Sequence, residues 1–363
     1  MHRGWKALPA VAVLLAAACG TGSGGAGGTS SAVPQEEAAT IALFLPESKT
    51  TRYEAFDRPL FESKVKALCP ACKVLYGNAD QDAAKQQQQV EAALTQGADV
   101  LVLDAVDAAA VAPLVNQAKQ KKIPVIAYDR LISGIGYDYY VSFNNVRVGE
   151  MQGQALLDAL AAKGGTGKGQ IVMINGAPTD PSSADYKKGA HNILDGKVQI
   201  GKEFDTPDWS PDKAQQQMEQ AITALGRDTV VGVLSANDGM AGGAIAAMKR
   251  AGYTELPPIT GQDAELAAVQ RILTGEQYMT VYLDIRAEAE KSAELAVALT
   301  KGQGPAAPTK VNNGTADIPA FLLDPIPVTK DKIKDTIVKD GFYKVADICT
   351  PEVKDACAKA GIQ

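Results

Sequence analysis

Apolar residues in this chain come in short unbroken runs, and between the runs they recur at helical spacing. Ile41–Leu45 is the first run; Phe61, Val65 and Leu68 then repeat every three or four residues, which predicts a helix, and Val74–Tyr76 follows as a strand. A helix is expected over Asp82–Gln96, with Val90 and Leu94 one turn apart and Gly97 placed to end it. Its glutamine tract, Gln86–Gln89, is expected on the wet face. The strand Val100–Leu103, a helix over Pro113–Lys122, and the strands Val125–Tyr128 and Tyr139–Phe143 complete a first set. A second set repeats the alternation. Its helices are Val148–Ala162, Ala184–Leu194, Asp212–Leu225 and Ala241–Ala251, and its strands Ile171–Ile174, Val198–Phe204, Val230–Leu234 and Pro258–Gly261. Continuous apolar strands alternating with amphipathic helices belong to parallel sheets covered on both faces. The fold class is α/β, with two doubly wound lobes and a cleft between them as the natural ligand site.

Polar residues cluster where such a cleft would be. Tyr128-Asp129-Arg130, Asn175–Asp180, Asn237-Asp238 and Gln262-Asp263 each closely follow an apolar strand, and Arg52-Tyr53 follows the first. The C-terminal ends of parallel strands face one crevice. Taken singly, each Asp or Asn is equally well explained as a cap on the next helix. Together, a shared site accounts for them better. Carboxylates and amides bind hydroxyl groups, Arg supplies fixed donors, and Tyr53 and Trp209 offer flat apolar faces for the C–H side of a sugar ring.

The N-terminus reads differently. Arg3 and Lys6 precede an apolar stretch, Ala7–Ala18, too short to span a bilayer but suited to an export signal. Ala16-Ala17-Ala18-Cys19 resembles a bacterial lipobox, which implies lipidation of Cys19 and anchoring to the outer face of a membrane. Gly20–Glu37 is Gly/Ser-rich and expected to be a flexible tether. Loss of the signal removes Trp5 and leaves Trp209 as the lone tryptophan. Outside the cytoplasm the remaining cysteines, Cys69, Cys72, Cys349 and Cys357, favour disulfides. Three pairings are open, local pairing being preferred. Cys69-Pro70-Ala71-Cys72 closes a helix rather than opening one, which argues for a structural bridge over a redox motif.

Composition narrows the function. The length of 363 residues suits two domains, and a net charge of −6 with no Lys/Arg-rich run argues against nucleic acid as a partner. His2 and His191 are the only histidines, which disfavours His-ligated metals and His-based triads. Gly164–Gly169 fails as a phosphate loop: Ala162 stands where its first Gly belongs, and Gly169 rather than Ser or Thr follows Lys168. It is expected to be a surface turn. The Gly-x-Gly spacing in the tether has no strand before it and fails as a dinucleotide loop. No catalytic residue, metal site or cofactor is assigned.

Several blocks carry a family resemblance. Ile123–Ile132 (IPVIAYDRLI), Asn237–Ile245 (NDGMAGGAI), Gly261–Leu266 (GQDAEL), Met279–Tyr282 (MTVY), Asn312–Pro319 (NNGTADIP) and Ile333–Phe342 (IKDTIVKDGF) resemble the bacterial D-xylose-binding periplasmic proteins. The resemblance runs from about Ile41 to Lys344. It implies a type I periplasmic-binding fold with a three-segment hinge, a monosaccharide ligand, and an ABC-transporter permease as partner, the protein itself being a monomer. It also implies ligand contacts from Arg52, Tyr53 (where the family has a stacking Trp), Asp129, Arg130, Asp180, Trp209, Asn237 and Asp263, with Asp238 beside them. Ser182 and Leu283 occupy two further contact positions but depart from the family's Asn and Lys. Xylose, another aldose and a larger sugar therefore all remain open. The expected layout is a signal at 1–18, a tether at 19–39, an N-terminal lobe from 40–143 and 263–283, a C-terminal lobe from 144–262 and 284–330, and a tail at 331–363. A sugar-responsive repressor would need a helix-turn-helix where this chain has its signal and tether. An enzyme would need a proton-transfer pair, for which Asp129 and Asp263 are the candidates. A receptor reporting to a membrane sensor stays open.

Overall fold

The computed structural model describes residues 38–165 and 169–362. The export signal, Cys19, the tether through Glu37 and residues 166–168 of the Gly164–Gly169 turn lie outside them. The strands are β1 (Thr40–Leu45), β2 (Lys73–Asn78), β3 (Val100–Leu103), β4 (Val125–Tyr128) and β5 (Tyr139–Phe143), then β6 (Gln170–Asn175), β7 (Ile200–Asp205) and β8 (Val230–Ser235). β9 (Met279–Tyr282), β10 (Thr309–Asn312), β11 (Asp317–Leu323) and β12 (Ile326–Thr329) follow. The first sheet has the order β10-β11-β5-β4-β3-β1-β2, parallel except for the β10 edge, and the second has the order β7-β6-β8. The expected strand Pro258–Gly261 adds one parallel bridge, Ile259 to Val233, at the edge of the second sheet. β3, β4 and β5 are buried along their whole length, as strands covered on both faces must be.

The chain crosses between the lobes three times, after β5, after β9 and after β11, which agrees with the expected three-segment hinge. At two crossings the crossing residue caps the helix it enters. Asn144 accepts from the Arg147 amide, and Asp284 from the Ala287 amide. The Asn144 amide also donates to the Leu323 carbonyl, tying two crossings together.

These crossings correct the expected layout. Residues 263–283 pack with the second lobe: Met279 and Val281 share a buried cluster with Val172, Val233 and Met240. The segment after 284 instead returns to the first lobe, where Ala289, Ala293 and Ala296 of the helix Ile285–Thr300 pack on Ile41, Val102 and Val141. Apolar periodicity is the same whichever sheet a segment covers, so it does not reveal the exchange. The glutamine tract also needs correcting. Gln86 is fully buried, its amide donating to the Asp104 carbonyl at 2.7 Å and its oxygen accepting from the Val106 amide at 2.9 Å. It fixes the loop that follows β3. Cys69 is joined to Cys72 and Cys349 to Cys357, the preferred local pairing. No helix among the described residues is long and apolar enough to cross a membrane.

Candidate functional site

The C-terminal ends of both sheets open onto one cavity of about 310 Å³ of atom-free space, mouth included. It is lined by Arg52, Tyr53, Asp129, Arg130, Asp180, Trp209, Asn237 and Asp263, with Thr50, Tyr186 and Gln262. Larger hollows lie elsewhere on the second lobe, around Leu256 and Pro257, but none of the expected site residues lines them. Convergence of polar groups, not size, selects the cleft.

The first lobe contributes a web of buried ion pairs. Asp57 grips Arg52 from two sides, at 3.0 and 2.8 Å, while Asp129 lies 3.1 Å and Glu288 2.5 Å from the same guanidinium. The second oxygen of Asp129 accepts from the Tyr53 hydroxyl at 3.0 Å. Arg130 is equally buried. It donates to the Ala105 carbonyl and to the Tyr53 hydroxyl, and its Nε lies 3.4 Å from Asp104. Burial pushes the Asp104 carboxyl well above the ordinary carboxylate range, with Arg130 pulling the other way.

The second lobe supplies groups from helix starts and tight turns. Asp180 caps the helix Pro181–Leu194 through one oxygen, and presents the other to Trp209 Nε1 at 3.2 Å and to Arg130 Nε at 3.1 Å. Asn237 caps the helix Asp238–Arg250 through its side-chain oxygen, leaving its NH₂ group for the cavity. Capping and site-building are therefore done by the same residues. Trp209 sits on the turn after β7 and is buried against Gly176, where a Cβ would fall 2.0 Å from its Cη2. Only glycine permits that ring position. Among the described residues the Asp263 carboxylate accepts only from the neighbouring Gln262, at 3.2 Å, and burial pushes its carboxyl up to about 7. The Gln262 oxygen is buried and without a partner.

Three of these residues hold the left-handed backbone that non-glycine residues avoid: Asp129 at φ 58°, Trp209 at 51° and Asp263 at 89°. At Asp129 the carbonyl is pinned by the Ser142 and Tyr140 hydroxyls at 2.7 and 3.1 Å, and its amide donates to Val141. Such over-determined strain gathers at functional sites. The lobes are in contact around the cavity: besides Arg130–Asp180, the Ala108 amide donates to the Thr179 carbonyl and the Gln81 side chain to the Asp208 carbonyl.

Three expected contacts do not line the cavity. Asp238 is consumed by Thr280, Gln277 and the Glu265 amide, at 2.8, 2.7 and 3.0 Å, and so locks the Gly261–Glu265 loop in place. Ser182 is buried behind the rim, accepting from Asn145 at 3.1 Å. Leu283 has turned into the apolar core of the second lobe, as a side chain without charge or donor will. Conversely, Thr50 and Tyr186 went unassigned. Tyr186 lies on the same buried helix face as Ser182 and Ser183, a signal that the strand-end search passes over. No group of metal-ligating side chains occurs among the described residues.

The sequence matches the periplasmic binding protein domain over residues 41–304. It is 36% identical over 313 residues to the D-xylose-binding periplasmic protein of Escherichia coli (strain K12), covering 85% of this chain and 92% of that one. To the multiple sugar-binding periplasmic receptor ChvE of Rhizobium radiobacter it is 32% identical over 324 residues, covering 84% and 91%. A Clostridium phytofermentans ABC transporter solute-binding protein, solved with β-D-glucose, superposes with a TM-score of 0.79 at 28% identity, over 85% of this chain and 99% of that one. A family match over most of the chain joins the two lobes, three crossings and strand-end cleft described above, and the chain belongs to the periplasmic binding protein family.

Proposed function

We propose that this protein is a receptor, not an enzyme, that binds xylose or a related aldose in its cleft and delivers it to an ABC importer. One observation carries the reading: carboxylates, amides and two arginines converge with Trp209 and two tyrosines on a single small cavity. Polar groups of this kind bind ring hydroxyls, and the aromatic rings cover the apolar sugar face. The relatives named for xylose and for multiple sugars support that ligand class. Leu283 removes a cation that the resemblance leads one to expect, so the ligand extends from xylose to related aldoses. Calorimetry against a panel of aldoses and polyols tests the reading. One or more aldoses should bind at one per chain and raise the melting temperature. A panel without a binder, polyols included, overturns it.

The Ala16–Cys19 motif adds a membrane anchor to this reading, with the binding domain outside the cytoplasmic membrane. Cys19→Ala should release the protein to the soluble fraction. Unchanged membrane association would remove the anchor from the reading and leave the receptor intact.

A further inference from the structure

Outside the cavity, one contact joins the lobes through aromatic rings. Phe56 lies on the single helical turn Tyr53–Asp57 of the first lobe, directly after Arg52. Its ring stacks on Phe342, with centroids 4.2 Å apart and planes 16° from parallel, and Tyr343 meets it edge-on at 5.5 Å. Phe342 and Tyr343 belong to the C-terminal segment. That segment is fixed to the second lobe by Ile333 and Ile337, both fully buried beside Ile272 and Tyr282, and is closed on itself by Cys349–Cys357. Tyr282 also packs edge-on against Phe342 at 5.2 Å. Phe56 thus packs with the apolar residues of the opposite lobe, while Arg52 and Tyr53, one helical turn earlier in the chain, face the ligand cavity.

We propose that Phe56, Phe342 and Tyr343 form an aromatic clasp made only in the closed arrangement, so that the C-terminal segment sets how long a ligand is held without touching it. The proposal rests on the reading that a ligand closes the two lobes. Opening the cleft separates the rings and returns their faces to water, so the stack adds to closed-state stability alone. Closed and open states differ by this contact for every ligand alike. It therefore acts on affinity by a common factor and leaves ligand ranking to the cavity. It acts on release rather than on encounter, because the rings meet only after the ligand has entered. Phe56, Phe342 and Tyr343 are positioning residues in this sense.

The test uses the full chain with two or more aldoses that bind the parent, reading affinity by calorimetry, release by stopped flow and closure by small-angle scattering. Phe56→Ala should weaken each sugar by the same factor, roughly three- to thirtyfold, carried by faster release. Its circular dichroism without ligand should match that of the parent. Phe56→Leu keeps apolar volume and guards against misfolding; it should fall between Ala and the parent, and Phe56→Tyr should restore near-parent release. Parent affinity and release rate in both Phe56→Ala and Phe56→Leu, in a parent that binds and contracts, would overturn the clasp alone. Weakening that differs from sugar to sugar would overturn it too, by placing Phe56 among the ligand contacts. A parent that binds no sugar and does not contract would overturn the receptor reading and the clasp with it.

Discussion

The two lobes furnish the cavity in different ways. In the first, Arg52 is held within its own lobe by Asp57, Asp129 and Glu288, and Asp129 again by Tyr53, while the buried Asp104 oxygens accept no hydrogen bond and rely on the nearby Arg130 charge. In the second, such groups are satisfied by helix caps or by groups across the cleft, as with Asp180, which caps its own helix and reaches Arg130. Opening the cleft would leave the Arg52 web whole while stripping Asp180 of its cation. The first lobe is therefore a preassembled platform, and the second a cover whose polar groups need either closure or a ligand. Buried pairs lend geometry more than stability, but removing one partner strands the others and costs heavily.

The largest expected effect breaks the platform. Arg130→Met leaves Asp104 buried with only the weaker pull of Arg52 to offset its charge, and Asp180 without its partner. It should lose about 3–5 kcal/mol of stability, read by chemical denaturation. A loss under about 1 kcal/mol, the worth of an exposed pair, would show that the first lobe is not held this way.

Next comes the cover. Trp209→Ala removes an apolar face and should weaken sugar binding by about 1–3 kcal/mol, with the fold intact and Trp209→Phe less affected. Since Trp209 is the lone tryptophan once Trp5 is removed, sugar should also shift the emission of the processed protein. Unmoved emission together with parent affinity in Trp209→Ala would take this ring out of the site.

A smaller effect sharpens the contrast through pH. Burial holds Asp263 at about 7 in the folded protein, against an ordinary 3.8. The folded state thus keeps a proton that the unfolded chain releases, and stability from this group falls as pH rises from about 4 towards 7. Asp104 and Glu288 are also raised by burial and act in the same direction. The unliganded protein should melt lower at about pH 7.5 than at about pH 5.5, and Asp263→Asn should narrow that gap. An equal gap in the variant would mean that Asp263 titrates normally. The smallest change is expected from Cys69→Ser with Cys72→Ser, which opens a bridge spanning only three residues at a helix end. Non-reducing peptide mapping should recover two local cross-links, and a peptide joining Cys69 or Cys72 to Cys349 or Cys357 would contradict the pairing.

Most strands were legible because runs such as Val100–Leu103 and Val125–Tyr128 have only one comfortable environment. The strand-end rule then pointed to Asp129, Asp180, Asn237 and Asp263, which line the cavity. Legibility ended where a choice depended on three-dimensional neighbours. Nothing local distinguishes Ala289 covering one sheet from Ala289 covering the other, so the two returning segments were exchanged. Gln86 and Gln89 look alike in sequence, but only Gln86 meets the backbone of the β3 loop. Asp238 sits beside Asn237 yet points the other way, because Thr280 and Gln277 lie behind it. Adjacency in the chain carries no information about which side of a loop faces the cleft.

The three crossings also govern how the molecule is assembled during synthesis. β6, β7 and β8 lie within one stretch of chain, and their sheet can close as soon as residue 235 has emerged. The first sheet cannot. Its strand β5 waits for β11, Ala320 lying opposite Tyr140, and its covering helix Ile285–Thr300 arrives almost as late. The sheet that begins first is thus completed after the second one, and contacts this distant in sequence are slow to form. Until then the face of these strands that carries Val102, Ile126 and Val141 lacks its covering helix, which makes the nascent first lobe the point at which aggregation would begin.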